Sequence, residues 1–340
     1  MTMPTRKLGP FDVSAIGLGC MNLSHAYGAP VSAEQGERVL LAALDAGVTL
    51  FDTATLYGFG ANEMLVGKVM KPHRHKFTLA SKCGMQGVDV AGGSTSGGKL
   101  VRVIDGRPAT IQKTLEDSLR RLQTDVIDLY YLHRWDKSVP IEDSVGALAD
   151  MVKKGHVRSI GLSEVSANTL RKAHAVHPIA AVQTEYSLWT RNPEIAVLDA
   201  CAELGATFVA FSPVARGFLC GDLIDVEMLD AKDIRRAMPR FTPDNYTANL
   251  KLLPTYNALA QDMGCSPSQL ALAWLLHKAP QVIPIPGTTS VDHLLDDLGA
   301  VNVVLPAELL KKLDALINQH TVQGARYNAQ GTSEVDTENF

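Results

Sequence analysis

Eight times along the chain, a short run of apolar, mostly β-branched residues gives way to a longer stretch of helical period. That alternation limits the folds open to it more than any other feature. The apolar runs fall at residues 15–18, 50–52, 77–81, 126–132, 159–162, 180–183, 208–211 and 281–285. Most are apolar throughout rather than alternating, as strands are when both faces of a parallel sheet are covered. Among the helical stretches, 32–46 sets Val39, Leu40, Ala43 and Leu44 on one face, and 108–122 does the same with Ile111, Leu115, Leu119 and Leu122. The stretch 141–154 ends in Lys153-Lys154-Gly155, cations in the last turn and a glycine at the stop. Stretches 166–176, 193–204, 266–278, 290–298 and 306–319 complete the set.

Eight such units predict an α/β fold of the (β/α)8, or TIM-barrel, type. A doubly wound parallel sheet is the runner-up, disfavoured by the number of units. No Pro/Ser-rich linker or charge run divides the chain, so residues 1–340 read as one domain with a core at 14–320. Residues 6–13 read as an N-terminal β-hairpin turning at Gly9-Pro10. Three segments exceed ordinary connections: the Gly-rich 84–107, then 212–246, then a polar C-terminal tail, 321–340. The first two follow strands, which in a barrel places them on the C-terminal rim, where active sites are built. For 84–107 a substrate lid and a plain insertion both stay open, and for the tail both a fold over the mouth by Arg326-Tyr327 and disorder.

Composition removes several function classes. Lys plus Arg total 32 and Asp plus Glu 36 in 340 residues, a net charge of −4, so there is no basic footprint for nucleic acid. No run approaches ~18 uninterrupted apolar residues, so no membrane span is expected. The first residues lack the apolar core of a signal peptide, and the five scattered cysteines form no C-x-x-C; a reducing, cytoplasmic setting is expected. No metal is expected either: His73 and His75 lie in the cationic stretch Lys71–Lys76 and read as a solvated loop. Gly17-Leu18-Gly19 hints at a dinucleotide turn, but the third glycine is replaced by Asn22 and loop residues follow, so the pair reads as a tight strand exit.

Three apolar runs end in ionisable groups: Asp52, Lys82 and His133; Tyr57 follows Asp52 by five residues. Singly, each has an ordinary reading as a cap, a solvated cation, a satisfied histidine or a packed aromatic. Together, on one rim, they suit reduction of a carbonyl. A new alkoxide needs a proton, and a phenol of pKa ~10 is a poor donor unless tuned. An ammonium favours the phenolate and is expected to lower the Tyr57 pKa, with Asp52 holding Lys82 and His133 orienting the carbonyl oxygen. Two rivals remain. One is a Schiff-base aldolase using Lys82, which needs a neutral amine that Asp52 opposes. The other is a barrel retained as a regulatory subunit with weak activity.

The segments Leu50-Phe51-Asp52-Thr53-Ala54 with Tyr57-Gly58, Ala80-Ser81-Lys82, Leu129-Tyr130-Tyr131-Leu132-His133, Gly161-Leu162-Ser163 and Ile283-Pro284-Ile285-Pro286-Gly287 resemble, in order, the aldo-keto reductases. The resemblance spans about residues 6–300 and is nearest to a bacterial, fungal and plant branch with Gly-Leu-Ser-Glu. It implies a (β/α)8 barrel that binds an extended nicotinamide dinucleotide, NAD(P)(H), without a Rossmann fold, and interconverts an aldehyde or ketone with its alcohol. It implies Tyr57 as proton donor, Lys82 and Asp52 as its tuning pair, and His133 as the orienting group. For the cofactor it implies Gly19, Cys20 and Met21; Ser163 and Gln183 on the carboxamide; Phe211 stacked on the nicotinamide; and Ser212, Pro213, Val214, Arg216, Gly217 and Leu219 about the pyrophosphate. At the far end it implies Ile285, Gly287, Thr288, Thr289, Ser290, His293, Asp296 and Asp297. Glu164 departs from the family, many members having Asn there.

NADPH-specific relatives usually carry Lys or Arg after the eighth strand, and none occurs from Ala279 to Leu310. A charge-assisted hydrogen bond is worth ~1.5–3 kcal/mol, so NAD(H) is expected to be preferred or both cofactors tolerated. By analogy the substrate mouth is lined by Met21, His25, Tyr27, Trp135, Trp189 and the Gly-rich loop, with Trp135 and Trp189 reading equally as surface or helix-packing aromatics and Arg134 a faint hint of an acidic substrate. The sequence leaves substrate, direction and oligomeric state open.

Overall fold

Gly9 takes a left-handed backbone between strands β1 (Thr5–Leu8) and β2 (Phe11–Ser14), where a Cβ would lie 2.7 Å from that of Ala180. This hairpin lies across the bottom of a barrel in the computed structural model, which describes residues 3–24, 26–89, 100–221, 223 and 225–340. The barrel staves are β3 (Leu18–Gly19), β4 (Leu50–Asp52), β5 (Thr78–Cys83), β8 (Ile127–Leu132), β9 (Val157–Ser163), β10 (Ile179–Glu185), β11 (Thr207–Phe211) and β12 (Val282–Pro284). Each pairs parallel with the next. The Gly17 and Gly19 amides donate to the Pro284 and Pro286 carbonyls at 3.0 and 2.9 Å, joining the first stave to the last.

The eight predicted strands are thus all present. The first is shorter than its apolar run, because 15–17 leads out of the hairpin before parallel pairing begins. Inside the barrel, Leu50, Ala80, Leu129, Tyr131, Ala181, Val209 and Ile283 form one apolar plug, closed from below by Leu8 and Val13. Gly161 makes room for the Tyr131 ring beside it: a Cβ there would lie 2.5 Å from the ring.

Helices α1 (Ala33–Asp45), α2 (Ala61–Met70), α3 (Pro108–Leu122), α4 (Ile141–Lys153), α5 (Ala167–Val176) and α6 (Val197–Leu204) follow the first six staves. After β11 the chain adds α7 (Pro243–Leu250) and α8 (Leu253–Asp262) before α9 (Pro267–Lys278). Then come α10 (Val291–Gly299), α11 (Ala307–Leu316) and the short α12 (Ala329–Ser333). Helix α2 escapes a hydrophobic-period reading because its inner face carries polar groups. Asn62 and Glu63 are fully buried, Asn62 donating to the Cys20 carbonyl and Glu63 meeting Ser81 and Arg121.

Two long segments left open by the sequence carry ordered elements among the described residues. The Gly-rich segment 84–107 contains an antiparallel strand pair, β6 (Met85–Asp89) with β7 (Leu100–Ile104); residues 90–99 lie outside the described residues. The tail packs back over the rim through Arg326 and α12. No helix among the described residues is long and apolar enough to cross a membrane.

Candidate active site

A cavity of about 630 Å³ opens at the C-terminal rim. β4 delivers Asp52, β5 delivers Lys82, and His133 follows directly on β8. Tyr57 sits in a tight turn after β4, where Gly58, Phe59 and Gly60 all take positive φ. A Cβ at Gly58 would meet the Ser24 carbonyl at 3.1 Å, so this bend requires a residue free to be left-handed and bare. Tyr57, Asp52 and His133 line the cavity, and Lys82 stands behind them, fully buried.

Lys82 Nζ donates to an Asp52 carboxylate oxygen, to the Thr53 carbonyl at 2.8 Å and to the Tyr57 hydroxyl at 3.2 Å. Gln183 Nε2 donates to the other Asp52 oxygen at 2.7 Å. The Tyr57 and His133 rings meet edge to face, with centroids 5.8 Å apart. All four groups therefore converge, and the carboxylate is held from both sides.

Burial works to lower the Lys82 pKa, but Asp52, Tyr57 and their hydrogen bonds outweigh it and hold the ammonium above its usual value. That is the charged form, unsuited to attack on a carbonyl. Tyr57 departs from the expectation of a lowered pKa. Burial raises it and Asp52 adds to the rise; Lys82 and Arg134 pull downward without cancelling it. The ammonium thus offsets part of the cost of burying the phenol and leaves the net shift upward.

The groove beside this cluster fits a dinucleotide. Its floor is bare backbone: a Cβ at Gly19 would stand 2.9 Å from the Ile285 carbonyl, and one at Gly287 2.8 Å from that of Gly19. Beyond Phe211 the backbone curls through positive φ at Ser212, Ala215, Arg216 and Gly217, a concavity of the kind that presents amides to anions. Thr288, Thr289 and His293 approach at the start of α10, whose cap is the Ser290 hydroxyl. Gly19, Met21, Ser163, Gln183, Phe211, Ser212, Pro213, Val214, Arg216, Gly217, Ile285 and Gly287 all line this cavity.

Several expected residues lie off its wall. Cys20 is buried, its amide given to the Asp52 carbonyl and its carbonyl to Asn62. Leu219 is buried in the apolar core. Ser290 caps its helix, and Asp296 accepts from Ser266 and Gln269 of the neighbouring capping box. Asp297 is buried beside it, and burial with that neighbouring charge pushes its carboxyl up to about 7.

On the substrate side, Met21 and Tyr27 line the cavity, while both tryptophans point elsewhere. Trp189 stacks on Phe218 at 4.3 Å and packs edge-on to Phe241; the Trp135 indole donates to the Val139 carbonyl at 2.9 Å. His25 and the tip of the Gly-rich loop fall outside the described residues. In place of the tryptophans the wall carries Leu56, Met85 and, from the tail, Tyr327.

The tail is fixed by a buried ionic network that sequence reasoning missed. Arg326 meets Glu164 and Glu185, and Glu185 also meets Arg216 at 2.7 Å. Burial opposes ionisation of Glu185, yet Arg216, Arg326 and Arg240 bring its carboxyl down to about 2. Glu164 thus serves the tail rather than the groove. A signal was present, since Glu164 and Glu185 follow the ends of the fifth and sixth apolar runs by two residues, near the strand-end criterion that singled out Asp52. Among the described residues no group of three or more His, Cys, Asp or Glu is placed to hold a metal ion.

A sequence model described as the aldo/keto reductase family matches residues 15–318. The chain is 42% identical over 324 residues to a protein named probable aldo-keto reductase 1 from Glycine max, covering 94% of this chain and 91% of that one. It is 41% identical over 340 residues to aldo-keto reductase yakc of Schizosaccharomyces pombe, whose name carries NADP+, with 98% and 97% covered. A glycerol dehydrogenase structure from Gluconobacter oxydans is similar at a TM-score of 0.85 and 28% identity, over 96% of this chain and 99% of that one.

Proposed function

Since this chain belongs to the aldo/keto reductase family of NAD(P)-dependent oxidoreductases, we propose that its rim cavity interconverts an aldehyde or ketone with the corresponding alcohol, with Tyr57 as the proton donor. The observation that carries the reading is the hydrogen-bonded line from Gln183 through Asp52 and Lys82 to the Tyr57 hydroxyl. When bound, the nicotinamide supplies the hydride for reduction or takes it up in oxidation. His133, edge-on to Tyr57, orients the carbonyl oxygen toward the phenol. Tyr57 gives its proton to that oxygen as charge develops on it. Lys82 then stabilises the phenolate, and Asp52, anchored by Gln183, keeps Lys82 charged and aimed. In oxidation the same groups run in reverse. Gly19, Phe211, Arg216 and Thr288 are among the residues that would hold the dinucleotide.

We further propose that NAD(H) is preferred and NADP(H) tolerated. The absence of Lys and Arg from 279 to 310 supports the preference. Tolerance has a source in α1: Gln35 donates to the Thr289 carbonyl at 2.6 Å and accepts from Arg38, so a cation is tethered one residue away from that segment.

The experiment follows oxidation of NADH and of NADPH spectroscopically with aromatic aldehydes, sugars and ketones, with borohydride trapping in parallel. Turnover of cofactor with at least one carbonyl class, and no trapped adduct, is expected. Cofactor left unchanged by every class, or a borohydride-trapped adduct on Lys82, would contradict the reading. A hundredfold advantage of NADPH in kcat/KM would contradict the cofactor preference alone.

A further inference from the structure

Four arginines reach the cavity wall: Arg102, Arg134, Arg216 and Arg235. Three are offset by carboxylates, Arg102 by Glu334, Arg216 by Glu185 and Arg235 by Asp233. Arg134 differs. One of its terminal nitrogens donates to the His133 carbonyl at 2.7 Å and to the Ser163 hydroxyl at 3.3 Å, and it pairs with no carboxylate among the described residues. The acids on the same wall are engaged elsewhere, Asp52 with Lys82 and Glu334 with Arg102.

This half-buried guanidinium is also close to the chemistry. It adjoins His133 in sequence, and its charge is among those that act on the Tyr57 phenol. Its Nε and second terminal nitrogen make no hydrogen bond among the described residues, which leaves one edge of the fork open. A planar, permanently charged fork with a free edge is the shape that receives a carboxylate through two parallel hydrogen bonds. A partly desolvated cation without a counter-charge is costly, and an anionic ligand relieves that cost.

We propose that Arg134 determines substrate specificity by pairing with an anion, and that the site takes carbonyl compounds bearing a carboxylate near the carbonyl carbon. The proposal rests on the reductase reading above and adds the charge of the substrate to it. A purely structural Arg134, one that only steadies Ser163 and the His133 backbone, would act on charged and neutral substrates alike.

The test measures kcat/KM for ortho-, meta- and para-carboxybenzaldehyde and for their methyl esters, with benzaldehyde alongside, in the native enzyme, Arg134→Met and Arg134→Lys. The expected result is that at least one acid is favoured over its ester by about tenfold or more, the worth of one charge-assisted contact. In Arg134→Met that acid-to-ester ratio collapses toward one, and Arg134→Lys, which keeps the charge without the fork, recovers part of it. No acid favoured over its ester in the native enzyme would overturn the proposal while leaving the reductase reading intact. Acid and ester falling together in Arg134→Met, with the ratio unchanged, would also overturn it. If benzaldehyde and all six derivatives are left unreduced, the proposal fails, while the reductase reading is decided by the sugars and ketones of the wider screen.

Discussion

Lys82 carries no accessible surface, yet three hydrogen bonds, one of them to the paired Asp52 carboxylate, keep its charge in place. The cluster was legible from sequence because Asp52, Lys82 and His133 each stand at the end of an apolar run, where a polar side chain has no packing reason to be. The direction of the Tyr57 shift was not legible, since it depends on how completely the phenol is enclosed, a property of the folded wall. That direction yields a prediction. A general acid works only while protonated, so reduction is lost as pH rises through the Tyr57 pKa of the free enzyme. Burial raises that pKa, so the alkaline limb of kcat/KM is expected beyond the ordinary tyrosine range of ~10. Lys82→Met removes the strongest downward influence. It is expected to push the limb further up and to lower kcat by roughly 10²–10⁴-fold, measured as a pH–rate profile. A limb that moves down in the variant would contradict the role of Lys82.

Among the elements, the tail shows most clearly what composition conceals. Residues 321–340 are mostly polar, and polarity alone does not tell a solvated chain from one folded over the mouth. What orders them is a buried pairing of Arg326 with two carboxylates that lie more than 140 residues away in sequence, a separation no local pattern reports. Helix α2 was hidden for a related reason: the polar, satisfied Asn62 and Glu63 share its buried side with Val66, Val69 and Met70, which blurs the apolar period. For the tryptophans the choice between mouth and packing was open, since aromatic type and rim position say nothing of which way a ring turns; both found partners away from the cavity. Removing one partner of a buried ion network typically costs ~3–5 kcal/mol. Arg326→Met is therefore expected to lower the unfolding midpoint and to speed amide exchange in 324–336, with a rise in substrate KM because Tyr327 leaves the cavity wall. The pH dependence follows from Glu185. Its carboxyl is depressed to about 2, so the stability it contributes is fully present above its ordinary pKa and is lost as pH falls from there toward 2. Tail protection that persists unchanged in Arg326→Met would contradict the anchoring role.

At the scale of the molecule, the two ends of the barrel divide the work. The hairpin and the apolar plug close the bottom, and polar strand ends, curled loops and the tail build the top. The barrel itself was legible because eight buried strands cannot hide their apolar runs. Its length beyond a minimal barrel resolved into β6–β7, into α7 with α8, and into the tail, all of them decorations of the rim or its margin. The central claim is that one phenol at that rim passes the proton. Its most direct measurement is kcat/KM for carbonyl reduction in Tyr57→Phe, alongside the cofactor dissociation constant from fluorescence quenching. The account predicts a loss of roughly 10²-fold or more in kcat/KM with cofactor affinity unchanged. Reduction that survives the substitution at its native rate would contradict it.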